Sequence, residues 1–532
     1  MNPIDYVLIL CSFVLFPLVN RGILCFSGDL TKLHSESDLF RAQTEKHLSK
    51  IDDIFFYRWV PPLFLTGLSG IFWPFLNWQT FDDTEIVRFF IVFICAIITW
   101  KAATLDRDLV TDKPSIPSRL ALIGALCGVY FYPGFIVLFI FLAIHYNRSW
   151  YHHQLMALRI LQMFASLIAT TALINGIQFF LRTPYPPHLA VPMFLFLWVI
   201  AAHYFYSGVA KMKLGKHWYS WAMDNRIHYL AISAYLWGWM RQQNVQTRLQ
   251  WIQKIAPYDR LFQFGTLFFE CGWVVCGFSS LLAQIWCFQA ILFHFLVFAL
   301  SGIFFWQSIL IHFAFMNILH FLPFEASSAL FKPWNAVIFA LLLIFLLPKK
   351  ILWNAQKLAW WDSPFEGRVH WYVVGKSGKR YGLYNNFMDP HERFFGRHTP
   401  FFLIPHPMFH GHLGEVNSLE LRDAIIASNG DPRKIEMIRK QCGYYVYHPV
   451  LEKAHDDYIK RFFLNFNAGK TKQIVPKWLK APGGQFYYWG QLPPFKGQEP
   501  VAQVLVFFKE EYCDGNKIIV VNDNLLKVIH IS

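Results

Sequence analysis

Charge is scarce in this chain. Asp, Glu, Lys and Arg make up 15% of its 532 residues, against roughly 25% in soluble domains. That is too little to cover a water-facing surface of this size, and it excludes a wholly soluble protein. Cysteine is sparse too. Of nine, Cys11, Cys25, Cys95, Cys127, Cys271, Cys276 and Cys287 lie in or beside apolar segments, where a thiol behaves as a small hydrophobe. Cys271 and Cys276 are not spaced as a Cys-x-x-Cys pair, and only Cys442 and Cys513 are left for one disulfide. Nothing basic precedes the apolar opening MNPIDYVLILCSFVLFPLVNRGILCF, and no small-residue cleavage site follows it. It reads as a retained first span rather than a removed leader. Two familiar chemistries are missing. NAGKT at 467–471 has Leu464 where a phosphate-binding loop needs glycine, and no His-Glu-x-x-His zinc helix occurs. There is no internal repeat or low-complexity tract.

What is present is apolar and aromatic: 55% hydrophobic residues, with 55 Phe and 21 Trp, as expected of lipid-facing bundles and interface belts. The formal charge of +14 is spread over loops between apolar runs. That suits contact with lipid headgroups, and without an aromatic-plus-basic motif it does not suit nucleic acid. A span needs about twenty mostly apolar residues. Candidates are 4–24, 54–77, 86–104, 118–146, 155–180, 189–212, 261–283, 286–320 and 333–348. The run 118–146 is interrupted at Tyr132-Pro133-Gly134, as in a kinked helix or a re-entrant pair. The run 286–320 is long enough for more than one segment, and 228–240 is short for a span and suits an interfacial or partly inserted helix. Residues 27–53 place Leu30, Leu33, Leu39, Phe40, Leu48 and Ile51 among mixed charges, the pattern of an amphipathic interfacial helix. The expectation is an integral, multi-pass helical bundle of eight to ten spans over 1–350. Lys349-Lys350, just after the last candidate span, hints slightly at a cytoplasmic C-terminus.

An α+β domain is expected over 351–532. VHWYVVGKSGKRYGLY reads as a hairpin about Lys376–Lys379. Residues 416–428, 432–441 and 450–464 read as helices. AQVLVFFKEEY reads as a strand, and KIIVVNDNLLKVIHI as two strands folded at Asn522-Asp523-Asn524. His391, His398, His406, His410 and His412 cluster in this part, but Pro407 and Gly411 break the helix that metal spacing would need. They read as solvated loop histidines, and no metal is expected.

The most informative stretch is LAVPMFLFLWVIAAHYFYSGVAKMKLGKHWYSWAMDNR at 189–226. A long apolar helix ends in Gly208-Val209-Ala210-Lys211. Gly208 admits the close approach of another backbone, and Lys211 lies one turn on, on a neighbouring part of the same face. One reading is a lysine snorkelling to the interface beside Lys213 and Lys216. The sharper one is a lysine held among Phe, Tyr and Trp, where lost solvation disfavours the charged form. A neutral amine is a general base, and beside lipid it can take a proton from a lipid-soluble phenol. Glu270 and His294 also fall within apolar segments, where ionisable groups face the bundle interior.

The segment YFYSGVAKMKLGKHW resembles the signature of the horizontally transferred transmembrane (HTTM) domain family, whose best-known members are the vitamin K-dependent gamma-glutamyl carboxylases. The resemblance rests on Tyr204, Phe205, Gly208, Lys211 and Trp218. RSWYHHQLMALRILQ, FGTLFFECGWVVCG and ILFHFLVFALSGIFFW are similar to further family segments, so that it covers about 145–320. It implies that Lys211 is the catalytic base and His153, with His152 as alternative, its histidine partner. Gly208, Trp218, Glu270 and His294 would support the pocket. It also implies a reduced vitamin K or related naphthoquinone hydroquinone, O2 and CO2 as reactants, and a polypeptide as carboxylation substrate. Ala210 stands where the carboxylases carry a second lysine, GKH is inserted before Trp218, and the C-terminal domain is shorter than theirs. The expectation of another class is a non-catalytic membrane anchor or scaffold for that domain.

Overall fold

The computed structural model describes residues 1–26, 78, 84–110, 112, 115–146, 152–181, 186–239, 244–346, 352, 358–383, 387, 401–483 and 492–531. The expected interfacial helix at 27–53 and the expected span at 54–77 lie outside them.

The bundle contains α1 (Pro3–Phe26), α2 (Thr84–Thr104), α3 (Ile116–Phe131), α4 (Phe135–Tyr146), α5 (His152–Leu181) and α6 (Ala190–Met212). The short α7 (Ser220–Asp224), α8 (Ile227–Leu236) and α9 (Val245–Ile255) come next. Then come α10 (Asp259–Gly272), α11 (Ser280–Ser301), α12 (Trp306–Phe321), α13 (Phe324–Leu330) and α14 (Pro333–Leu346). Four helices, α2, α5, α6 and α11, are long and apolar enough to cross a membrane. The pair α12–α13, bent by 111°, makes a fifth if it is one span. The chain is an integral, multi-pass membrane protein with four to five candidate spans among the described residues, against eight to ten expected over 1–350, of which 54–77 lies outside the described residues. Among the described residues the difference has local causes. At Tyr132-Pro133-Gly134 the apolar run breaks into α3 and α4, which pack on each other. The run 261–283 breaks as well. Its first part is the amphipathic α10, whose Leu261, Phe264 and Phe268 are exposed, and it passes through a 3-10 turn at Trp273–Gly277. The run 286–320 is indeed two helices. Ser279 caps the start of α11, and Gly302 ends it in the left-handed conformation (φ 70°) directly against the Trp239 carbonyl.

The sheet of the C-terminal part is formed by β2 (Phe365–Gly375), β3 (Arg380–Leu383), β5 (Val501–Cys513) and β6 (Ile518–His530) in antiparallel order β3-β2-β5-β6. A two-stranded ribbon pairs β1 (Trp361–Asp362) with β4 (Glu415–Val416). The helices are α15 (Leu419–Ser428), α16 (Pro432–Cys442) and α17 (Pro449–Asn467). The hairpin about Lys376–Lys379 forms as expected. The fold expected at Asn522-Asp523-Asn524 does not. These residues run straight through β6, opposite Phe508–Glu510, and two register shifts absorb the irregularity. Ladder hydrogen bonds override the local turn preference here, and the turn lies at Asp514–Lys517 instead. Cys442 and Cys513 are free, one exposed and the other buried.

Bundle and domain share a core. Trp221 and Leu267 pack with Trp361, Phe365 and Phe409. Asn225 Nδ2 donates to Asp362 Oδ2 (2.6 Å), while the Asp362 amide donates to Asn225 Oδ1 (2.8 Å). The loop after α2 enters the domain. Leu109 joins its core, Tyr458 donates to Asp108 (2.9 Å), and Asn465 donates to the Leu109 carbonyl (2.6 Å).

Candidate active site

Helix α6 is buried along most of its length, because its apolar residues cover nearly its whole circumference rather than one stripe. At its C-terminal end Lys211 is only 7% exposed. Its Nζ donates to both carboxylate oxygens of Glu270 on α10, each at 2.8 Å, and Glu270 is 4% exposed. The ammonium also lies 5.3 Å from the centre of the Trp221 ring. Gly208 makes this approach possible. A Cβ there would sit 2.7 Å from Cys271 Sγ and 3.0 Å from Glu270 Cβ, so α10 occupies the space a side chain would need. Lys211 therefore does not reach outward as a snorkelling lysine does, whereas Lys213 and Lys216 are exposed.

Two turns earlier on the same helix, Tyr204 begins a second polar group. Its hydroxyl lies 2.6 Å from His294 Nε2 on α11 and 3.1 Å from His312 Nε2 on α12. Its ring stacks on Trp273 at 5.1 Å and 8°. His312 Nδ1 is in turn 2.6 Å from the Ser308 carbonyl oxygen. All three residues are buried.

The structure thus brings Lys211, Gly208 and Glu270 together and seats His294 deeper along α6. Trp218 is not at the pair. It is 58% exposed and meets Tyr219 edge-on, and Trp221 is the ring beside Lys211. His152 and His153 open α5, which packs against α6, but their side chains lie outside the described residues. Sequence reasoning misses Trp221, Trp273 and His312. His312 carries the same signal as His294, a histidine inside an apolar run. Trp221 carries none, since it reaches Lys211 only because the chain turns at Gly215–Tyr219.

Outside the bundle, His406 and His410 are held neutral, burial pushing both imidazoles down to about 4. His391 and His398 lie outside the described residues, as does the His412 side chain. Among the described residues no three His, Cys, Asp or Glu side chains converge as metal ligands. The seam between bundle and domain holds buried acids. Burial raises Asp362 to about 6, and burial with the neighbouring Asp362 charge raises Glu415 to about 8. No family model, no curated protein and no solved structure matches this chain.

Proposed function

We propose that the chain is a membrane enzyme of the vitamin K-dependent gamma-carboxylase type. It oxidises a reduced naphthoquinone with dioxygen, by epoxidation, and couples this to carboxylation of glutamyl residues. Epoxidation alone is the narrower form of the same reading. The observation that supports it is the Lys211–Glu270 pair, an amine and a carboxylate 2.8 Å apart in a buried, aromatic setting. An amine beside a carboxylate can pass its proton on and then take one from a phenolic hydroxyl, which is the general-base role this reading assigns to Lys211. A bicyclic hydroquinone requires flat apolar walls and hydroxyl acceptors. Trp221, Phe269 and Trp273 offer the rings, and the pair and His294 offer the acceptors. When bound and oxidised, the quinol supplies the strong base that removes a glutamyl γ-proton ahead of carbon dioxide addition. The chain's own part is to hold the hydroxyl, accept its proton at the pair, and keep out water that would quench a carbanion. By the family resemblance, His153 would hydrogen-bond oxygen-bearing intermediates.

A second reading rests on the same pair. Two charges satisfied by each other tie α6 to α10, and the chain then serves as an anchor for its C-terminal domain. Oxygen-dependent hydroquinone consumption in membranes separates the two. Lys213→Ala, at an exposed position, is expected to match the parent protein. Lys211→Ala is expected to lose activity by about 10²–10⁴-fold, the usual contribution of a general base. Equal rates in the two variants would remove the enzyme role. Because Lys211→Ala strands a buried carboxylate, Lys211→Met with Glu270→Gln serves as the packed, neutral control. It is expected to fold and to be inactive.

A further inference from the structure

The hydrogens in the deeper polar group can be placed by elimination. His312 Nδ1 faces the Ser308 carbonyl at 2.6 Å. A carbonyl only accepts, so Nδ1 carries the hydrogen, and in a neutral imidazole Nε2 is then bare. Tyr204 donates its single hydrogen to that nitrogen at 3.1 Å. His294 Nε2, 2.6 Å from the same phenol oxygen, must therefore be the donor there. That leaves His294 Nδ1 bare. It is buried and has no hydrogen-bond partner among the described residues, on a side chain 5% exposed. Its surroundings include the Phe305 and Phe293 rings, with centroids 5.0 and 5.7 Å from the imidazole. A buried acceptor left without a donor costs about 1–3 kcal/mol, and a ligand hydroxyl recovers it.

We propose that His294, Tyr204 and His312 form a proton-accepting site for a phenolic hydroxyl, received at His294 Nδ1. That the phenol is a quinol rests on the function proposed above. The string is already directed. When the ligand O–H breaks, an N–H forms at His294 Nδ1 and the Nε2 hydrogen passes to the Tyr204 oxygen. The Tyr204 hydrogen then passes to His312 Nε2. One proton enters, the ligand is left as phenolate, and the positive charge comes to rest on His312, whose Nδ1–H already points at the Ser308 carbonyl; burying that charge is costly, and the attraction of the phenolate left beside the string is what must offset it. The Tyr204 ring, stacked on Trp273, keeps the middle link in place.

The test uses the full chain in lipid nanodiscs with 2-naphthol as the probe, read by binding and by the red shift of its absorption toward naphtholate. The parent protein is expected to bind and shift the probe. His294→Phe is expected to weaken binding by about tenfold or more, which corresponds to about 1.4 kcal/mol. Tyr204→Phe keeps the stacked ring, so it should bind within about threefold of the parent but lose the shift, which mere packing would not produce. The proposal is overturned if the parent fails to bind, or if His294→Phe binds and shifts the probe as the parent does. Should His294→Phe fail to accumulate, an unchanged shift in Tyr204→Phe overturns it instead. Oxygen uptake with a naphthohydroquinone, measured on the same nanodiscs, reports the proposed function separately. Naphthol binding without hydroquinone consumption defeats the carboxylase-type reading and leaves this site standing. Consumption lost in Lys211→Ala but untouched in His294→Phe defeats this site alone.

Discussion

At the scale of single residues, the buried pair sets the sharpest expectation for stability. Glu270→Gln leaves the Lys211 ammonium buried without its counter-charge, and losing one partner of such a pair costs about 3–5 kcal/mol. Thermal unfolding in detergent should show a large drop for Glu270→Gln. Most of the drop should be recovered when Lys211→Met is added, because a neutral, similarly sized pair avoids the cost of desolvating either charge. A double variant no more stable than the single one would mean that shape, not charge, holds the two helices together. Lys211 was legible in the sequence because it closes a long apolar run behind a glycine. Glu270 was legible too, as an acid inside an apolar run, but its pairing with Lys211 was not, since it lies 59 residues away and only the packing of α6 on α10 selects it among the other buried polar groups.

At the scale of elements, Gly208 governs how closely α6 and α10 approach. A methyl group there meets Cys271 Sγ at 2.7 Å, so Gly208→Ala should push the helices apart at a cost of about 1–3 kcal/mol. Because the nearest atom is the end of a side chain, Cys271→Ala should relieve much of that cost. A thermal-shift comparison of the two single variants and their combination would show it as non-additivity. The helices α2, α5 and α6 were legible because each is one unbroken apolar run of span length. The failures share one cause, a long-range partner overriding a local rule. The run 261–283 has the hydropathy of a span but ends its helix at Gly272, where a Cβ would strike the Trp286 ring. The polar triplet in β6 has the composition of a turn but is held straight by thirteen residues of β5 beside it.

At the scale of the whole molecule, the seam between bundle and domain is sensitive to pH. Asp362 binds a proton more tightly folded than unfolded, so the stability it contributes is fully present below the ordinary carboxylate range. That contribution is lost as pH rises through about 6. Glu415 acts with the same sign, its contribution falling away as pH rises through about 8. The folded, docked protein should therefore lose stability between about pH 4 and pH 8, and the Asp362 share, about 3 kcal/mol, falls between about pH 4 and pH 6. Asp362→Asn should flatten that part of the profile, and an unflattened profile would place the sensitive group elsewhere.

The loop carrying Asp108 and Leu109 leaves the bundle early in the chain and is built into the core of a domain assembled from residues some 350 positions later, where Tyr458 and Asn465 hold it. No single cut in the polypeptide can then release an intact C-terminal unit. A fragment starting near residue 351 would lack a piece of its own interior, and a fragment ending there would carry that piece bare. Each half should aggregate when made alone, and the two should rescue one another when made together in the same cell.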